Sequence, residues 1–497
     1  MKNPTKIAAA VVRTISLCML APLLLGMRAA ALPFDTNIYT HYNYSSSGEV
    51  VSSPAAYTPQ RRIRSEELSG EDAFAITDVC ADGDYLYVLD GDNGRVYVLD
   101  RNYAVVRCIA SLTGSTGPSA LAYPEGLYMR DGELYIADTD NQRIVVCDPA
   151  DGRVIREYTD PSIRVLSEKV DFFPSRICVN SSGRMFVVAK NVNRGLVLLN
   201  EDGSWDGFVG APKVKVDWTA YFYRMFATEE QIRRMQAFVP TEYNSVDMDG
   251  EGFVYATIGS VSAESIKNVI TSKDTSGDVT PIRRINASGD DILSRGGFFA
   301  PVGDVQFDVT DGSSVIVDVA VRGSGMYTML DSRRGHIFTY DQDGSLLYIL
   351  GGTGDQIGCF SAASALTWWG DTLVVADKSG FLTAFTVTDY GSCINRAVEA
   401  DYAGQYEESD RYWNLALDYD ANLYAAYIGK GKSEYRRENY VQAMKYYRAV
   451  GETEYYSKAK AKFRQEWLEQ NALAVGVVAV ILLGTLIYFW FFRKKQR

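Results

Sequence analysis

The sequence predicts a mainly β chain: a six-bladed β-propeller, then a short α-helical hairpin, then one C-terminal transmembrane helix. Three observations predict it. A strand–turn–strand pattern recurs six times between residues 55 and 390. Strand-like runs stop after Tyr390 and helix-forming composition follows. The last apolar run, Ala472 to Phe492, holds 21 residues without a charge.

Taken in order, Lys2, Lys6 and Arg13 precede the apolar stretch Ile15 to Met27, and Ala29-Ala30-Ala31 offers a small-residue cleavage site. Residues 1–31 are therefore expected to be an export signal. Residues 32–54, rich in Ser, Tyr and Asn, are expected to form an irregular leader. Ala55 to Ile63 is extended in character, and a ring of blades must close, so this stretch is expected to supply the outer strand of the last blade.

Six short, apolar central strands follow: Tyr85–Leu89, Leu134–Ala137, Met185–Ala189, Phe253–Ala256, Met326–Leu330 and Leu373–Ala376. Runs of this length and composition suit strands buried on both faces. The turn after the strand carries a signature. Asp90, Asn93 and Arg95 recur as Asp138, Asn141 and Arg143 at a spacing of 48, with Lys190 to Asn193 and Asp331 to Ile337, which holds His336, as weaker copies. A second polar residue stands ten positions later, at Asp100, Asp148, Asn200 and Asp341. Asp and Asn satisfy turn amides and tolerate left-handed geometry. A meander of three or four strands cannot bury both faces alone, so such units stack radially, and six of them make a six-bladed disc.

The segment from Pro124 to Val146, with Gly132, Asp138, Asn141 and Arg143, resembles an NHL repeat. The first unit is nearly as close, the third and fifth are partial, and the fourth and sixth lack the Asn-x-Arg element. The resemblance implies a propeller of the TolB-like class over residues 55–390. It implies little about function, because NHL propellers bind proteins, RNA or small ligands and some relatives are enzymes.

One insertion, residues 204–240, breaks the pattern between blades three and four. It reads as two short helices, with Thr228 and Gln231 in capping-box positions and Pro240 as the stop. Trp218, Tyr221, Phe222, Tyr223, Arg224 and Phe226 cluster there, and aromatic and Arg residues together are common interface anchors, so this is the expected partner surface. Ser260 to Thr280 is polar and reads as a long surface loop.

Residues 391–470 read as a helical stalk. Gly431 and Ala443, with Tyr440 and Tyr447, resemble a tetratricopeptide helix pair, in which small residues let antiparallel helices approach. Residues 472–492 are long enough to cross a bilayer. Tyr488, Trp490, Phe491 and Phe492 suit the interface, and the basic tail 493–497 is expected in the cytoplasm, with the N-terminus outside.

The chain carries 50 basic and 62 acidic residues, a net charge of −12. Without signal and tail the balance is 42 to 62, or −20. That surface disfavours nucleic acid as a partner. Cys80, Cys108, Cys147, Cys178, Cys359 and Cys393 form no CxxC pair, which argues against a metal knuckle. With two histidines, His41 and His336, a zinc hydrolase or a Ser-His-Asp triad has no material.

The expected function is therefore a membrane-tethered, extracytoplasmic binding or scaffold module. Its partner is a protein, a carbohydrate or other cell-surface polymer, or a transport component. No catalytic residue, cofactor or metal is expected. The alternative is a calcium-dependent lactonase resembling gluconolactonase, for which Glu125 would be the first ligand, although no Asn-Asp pair accompanies it.

Overall fold

The computed structural model describes residues 41–495 other than 71, 115–116, 166–167, 191, 212–241, 309 and 311. Of eight antiparallel sheets among the described residues, six are blades arranged in chain order and two are short two-stranded pairs. Blade 1 holds Ile76–Asp82, Tyr85–Asp90, Arg95–Leu99 and Val105–Ile109. Blade 2 holds Gly126–Arg130, Glu133–Asp138, Arg143–Cys147 and Val154–Thr159, and blade 3 Phe173–Val179, Met185–Lys190, Leu196–Leu199 and Trp205–Val209. Blade 4 has three strands, Tyr243–Met248, Val254–Ile258 and Ile282–Ile285. Blade 5 holds Ile316–Val321, Tyr327–Asp331, His336–Tyr340 and Leu346–Gly351. Blade 6 holds Ala363–Trp369, Thr372–Asp377 and Phe381–Val387.

The ring closes as the sequence suggests. Tyr57–Arg64 pairs antiparallel with Phe381–Val387, with Tyr57 opposite Val387 and Arg64 opposite Phe381. The last blade thus takes its outer strand from the start of the chain. Each pair of neighbouring blades shares one apolar cluster. Leu89, Val98, Leu127 and Ile136 join blades 1 and 2, for example, and Ile63, Leu382, Ile76 and Leu86 join blades 6 and 1. Every predicted central strand is the second strand of its blade, covered on both faces by neighbouring blades. This explains its unbroken apolar run.

Two segments differ from expectation. The 32–54 leader is not irregular throughout. Tyr42–Tyr44 and Val50–Ser52 pair with each other, and Tyr42 pairs with Ile349 on the outer strand of blade 5. Tyr42 and Tyr44 are buried, and both phenols donate to Asp304. An aromatic strand has covered an open sheet edge. Ser260 to Thr280 holds a helix rather than a loop. With α1 at Ser65–Ser69, this is α2, Ala263–Ser272, capped by the Ser262 side chain. Ile266 and Val269, spaced for one helix face, bury against Ala300 and Val302.

Beyond the disc the hairpin expands to five helices: α3 (Asp389–Tyr402), α4 (Tyr406–Tyr419), α5 (Tyr424–Arg436), α6 (Tyr440–Ala449) and α7 (Thr453–Gln470). They do not stand off as a stalk. Ile394, Val398, Trp413 and Ala426 share one core with Tyr57, Tyr348 and Phe385 of blades 5 and 6. The Asn395 amide donates to the Tyr57 phenol at 2.6 Å, and the Tyr348 phenol donates back to Asn395 at 3.0 Å. Small residues set the helix spacing: a Cβ on Gly431 would lie 2.3 Å from the Tyr447 ring, and one on Gly429 would lie 2.2 Å from Trp413. The last helix, α8 (Ala472–Lys495), contains the window Ala472–Trp490, with mean hydropathy 2.6. It is long and apolar enough to cross a membrane.

Candidate functional site: the channel mouth and its floor

The signature turns act as clips. Asp138 is fully buried; its Oδ1 accepts the Ala122 amide at 2.7 Å, and its Oδ2 accepts Asn141 Nδ2 at 2.8 Å and Arg143 Nε at 2.6 Å. Asp90 likewise accepts the amide and side chain of Asn93, both at 2.9 Å, and sits opposite Arg95 in register. Asp331 accepts the Val315 and Arg333 amides, but His336, in the position of Arg143, turns to Asp304 at 2.9 Å. Asp377 of blade 6 does the same work, accepting Ser361 N at 2.8 Å and Ala362 N at 2.9 Å. The sequence reading missed Asp377 because no Asn-x-Arg follows it. In blades 2, 5 and 6 these carboxylates fasten the loop entering the blade and so hold its inner strand in place.

The inner strands build the site. In five blades the register shifts near the start of the inner strand, between Ile76 and Asp78, Pro174 and Arg176, Tyr243 and Ser245, Ile316 and Asp318, and Ala363 and Ala365. A bulge re-aims the extra residue. Those residues are Thr77, Ser175, Asn244, Val317 and Ser364, and Glu125 holds the matching place in blade 2. All six line a cavity of about 450 Å³ at one mouth of the channel, together with Lys190, Glu242 and Lys378. Several also tie blade to blade. The Thr77 hydroxyl donates to Pro124 O at 3.0 Å, the Ser364 hydroxyl to Ile76 O at 2.8 Å, and the Asn244 amide to Ile316 O at 2.6 Å. Glu125 pairs with Lys190 at 2.7 Å. Lys378 and Glu242 have no ion-pair partner among the described residues.

Arg176 forms the floor. From blade 3 it reaches the Thr77 carbonyl of blade 1 at 3.1 Å, the Ser364 carbonyl of blade 6 at 3.4 Å and the Asp78 carboxylate at 3.4 Å. Asp78 also accepts the Leu127 amide of blade 2 at 2.7 Å. Asp318 accepts the Leu366 amide of blade 6 at 2.7 Å and the Ser245 hydroxyl of blade 4. One guanidinium and two carboxylates thus link the inner strands. Beneath lies a second cavity of about 230 Å³, lined by Asp78, Asp247, Asp318, Cys80, Tyr128 and Trp368 among others. Asp247 accepts the Val321 amide of blade 5 at 2.8 Å. Burial pushes Asp247 up to about 7 and Asp318 up to about 6, the latter against the pull of Arg176. Burial also raises Asp78, and it raises the Cys80 and Cys178 thiols, with nearby carboxylates adding to it. For Arg176, burial acts against the charge, but Asp78 and Asp318 outweigh it and raise its pKa.

Residues 121–147, which span the clip of blade 2, match the NHL repeat. The solved structures it is similar to include virginiamycin B lyase from Staphylococcus aureus, 10% identical, covering 67% of this chain and 100% of that one, with a TM-score of 0.39. Kuenenia stuttgartiensis hydrazine synthase is 12% identical, covers 64% of this chain and 97% of that one, and has a TM-score of 0.37. No curated protein matches the chain.

The aromatic surface of Trp218, Tyr221, Phe222, Tyr223, Arg224 and Phe226 lies outside the described residues. Glu242, which follows that segment, lines the mouth. Glu125 lies where a channel-mouth ligand should, but the Lys190 ammonium already occupies its carboxylate, and the Asn244 amide is held by Ile316 and Thr257. A calcium ion needs six to eight oxygens. The described residues around Glu125 do not fit one.

Proposed function

We propose that this chain is an extracytoplasmic binding module, tethered by Ala472–Trp490 with its tail in the cytoplasm, whose channel mouth docks a polar segment of a partner. The partner class is a protein, a cell-surface polymer or a transport component beside the membrane. One observation carries the reading: among the described residues, Arg176 spans the base of the mouth cavity to the Thr77 and Ser364 carbonyls, which supports docking at the mouth over passage through the channel. Lys378 and Glu242, with Arg176 beneath, offer charges of both signs to that ligand. The Lys190 pairing of Glu125 argues against the calcium lactonase alternative.

The test is capture from the native membrane by the full anchored chain, comparing wild type with Lys378→Glu and Glu242→Lys. A defined partner retained by wild type and lost by both variants supports mouth docking. Equal capture by all three places the interface elsewhere. Lactone turnover that needs calcium and vanishes in Glu125→Ala would replace this reading with the enzymatic one.

A further inference from the structure

The fifth blade departs from the signature in a way that creates chemistry. In blade 2, Arg143 neutralises Asp138. In blade 5 the equivalent arginine is His336, and Asp331 Oδ2, fully buried, has no hydrogen-bond partner. A second buried carboxylate, Asp304, enters from the loop before the blade and sits 2.9 Å from His336 Nδ1. Ligand atoms of Asp304, Asp331 and His336 lie within 4.8 Å of one another, the one such group among the described residues. The phenols of Tyr42 and Tyr44 occupy the other oxygen of Asp304. Tyr42 is also 3.2 Å from His336 Nδ1. A carboxylate fixed by neighbouring donors is how protein metal sites orient their ligands.

We propose that Asp304, Asp331 and His336 bind one divalent zinc ion, with solvent as the fourth ligand. Imidazole plus carboxylate oxygens is a donor set zinc accepts, at about 2.0–2.2 Å per bond. The three side chains must close slightly to reach that geometry. The nearest competing cation is Arg334, 3.8 Å from Asp304 and 3.9 Å from Asp331, beyond hydrogen-bond distance of both. Its guanidinium is held by the Gly312 carbonyl at 2.6 Å and is partly exposed, so it can swing out. Zinc here would fasten the Tyr42–Tyr44 strand to the edge of blade 5 through Asp304.

The full chain, purified in detergent with a histidine-free tag, is stripped with chelator, equilibrated with zinc chloride and desalted. Bound zinc is then counted by mass spectrometry, and affinity is measured by calorimetry. Wild type should retain about one zinc per chain, and His336→Arg should lose it, with affinity at least about tenfold weaker. His336→Arg can rebuild the Asp–Arg clip of blade 2, so its thermal transition should not fall. Asp331→Asn should also lose the ion, and Arg334→Gln should bind it more tightly. X-ray absorption should show nitrogen and oxygen ligands without sulfur. Wild type carrying no more zinc than His336→Arg, or zinc on sulfur, would overturn the proposal.

Discussion

The two halves of the channel are built from the same six strands and have opposite characters. Above Arg176 the cavity is the larger, Lys190, Glu242 and Lys378 line it, and the one ion pair among its described residues, Glu125 with Lys190, is partly exposed. Below Arg176 the cavity is about half that volume, and it is lined by two buried carboxylates, Asp78 and Asp318, and by the half-buried Asp247. Their acidity is shifted toward the protonated form. The difference lies in one step along each strand. Bulged residues face the mouth, and the next position faces the floor. A surface made to meet a ligand and a plug made to hold the ring are therefore adjacent in sequence.

The largest effect should come from breaking the boundary. Arg176→Leu strands Asp78 and Asp318 without their cation, which should cost about 3–5 kcal/mol. Chemical unfolding of the full chain checks this, and an unchanged transition would mean that the floor is not held by charge. Asp318→Ala should cost about 1–3 kcal/mol, because the Leu366 amide and Ser245 hydroxyl lose their acceptor. Hydrogen exchange on the inner strand of blade 6 should rise in that variant.

The fold was legible where a rule is local. Alternating turns and apolar runs marked all six central strands, and the need to close a ring placed Tyr57–Arg64. The NHL likeness fell on blade 2, where Asp138, Asn141 and Arg143 form a complete clip. Of the site only Glu125 was singled out in the sequence as a binding residue, because the rest is assembled from one or two residues per blade across nearly 300 positions, from Thr77 to Ser364. No local pattern marks Arg176 as different from Asp78. The strands at Tyr42 and Val50 were missed because edge pairing depends on Asp304, some 260 residues away. Helix α2 carried a readable signal in Ser262, Ile266 and Val269, but the polar composition around it obscured the spacing. Five helices read as one hairpin because the small residues that space them, Gly429 and Gly431, look alike in sequence and face different partners.

Acidity gives a further comparison of the halves. Folded Asp247 holds its proton up to about 7, whereas the unfolded group releases it near 3.8. The folded state binds more protons across that window, so Asp247 makes the protein less stable as pH rises through it. Melting temperature measured against pH should show Asp247→Asn gaining on wild type from pH 4 to pH 7 and levelling off above. A constant difference would mean that folded Asp247 does not hold its proton through that window. The smallest effect on stability should be at the rim: Lys378→Glu should change it by under about 0.5 kcal/mol while reducing partner capture.

Site-specific photo-crosslinking in living cells tests the functional claim most directly. A benzoyl-phenylalanine is placed either at Lys378, on the mouth, or at Asp84, in the exposed turn at the other end of the blade 1 strands. The expected result is a discrete adduct from position 378 and none from position 84. An adduct from position 84 alone would contradict the assignment of the mouth as the docking face.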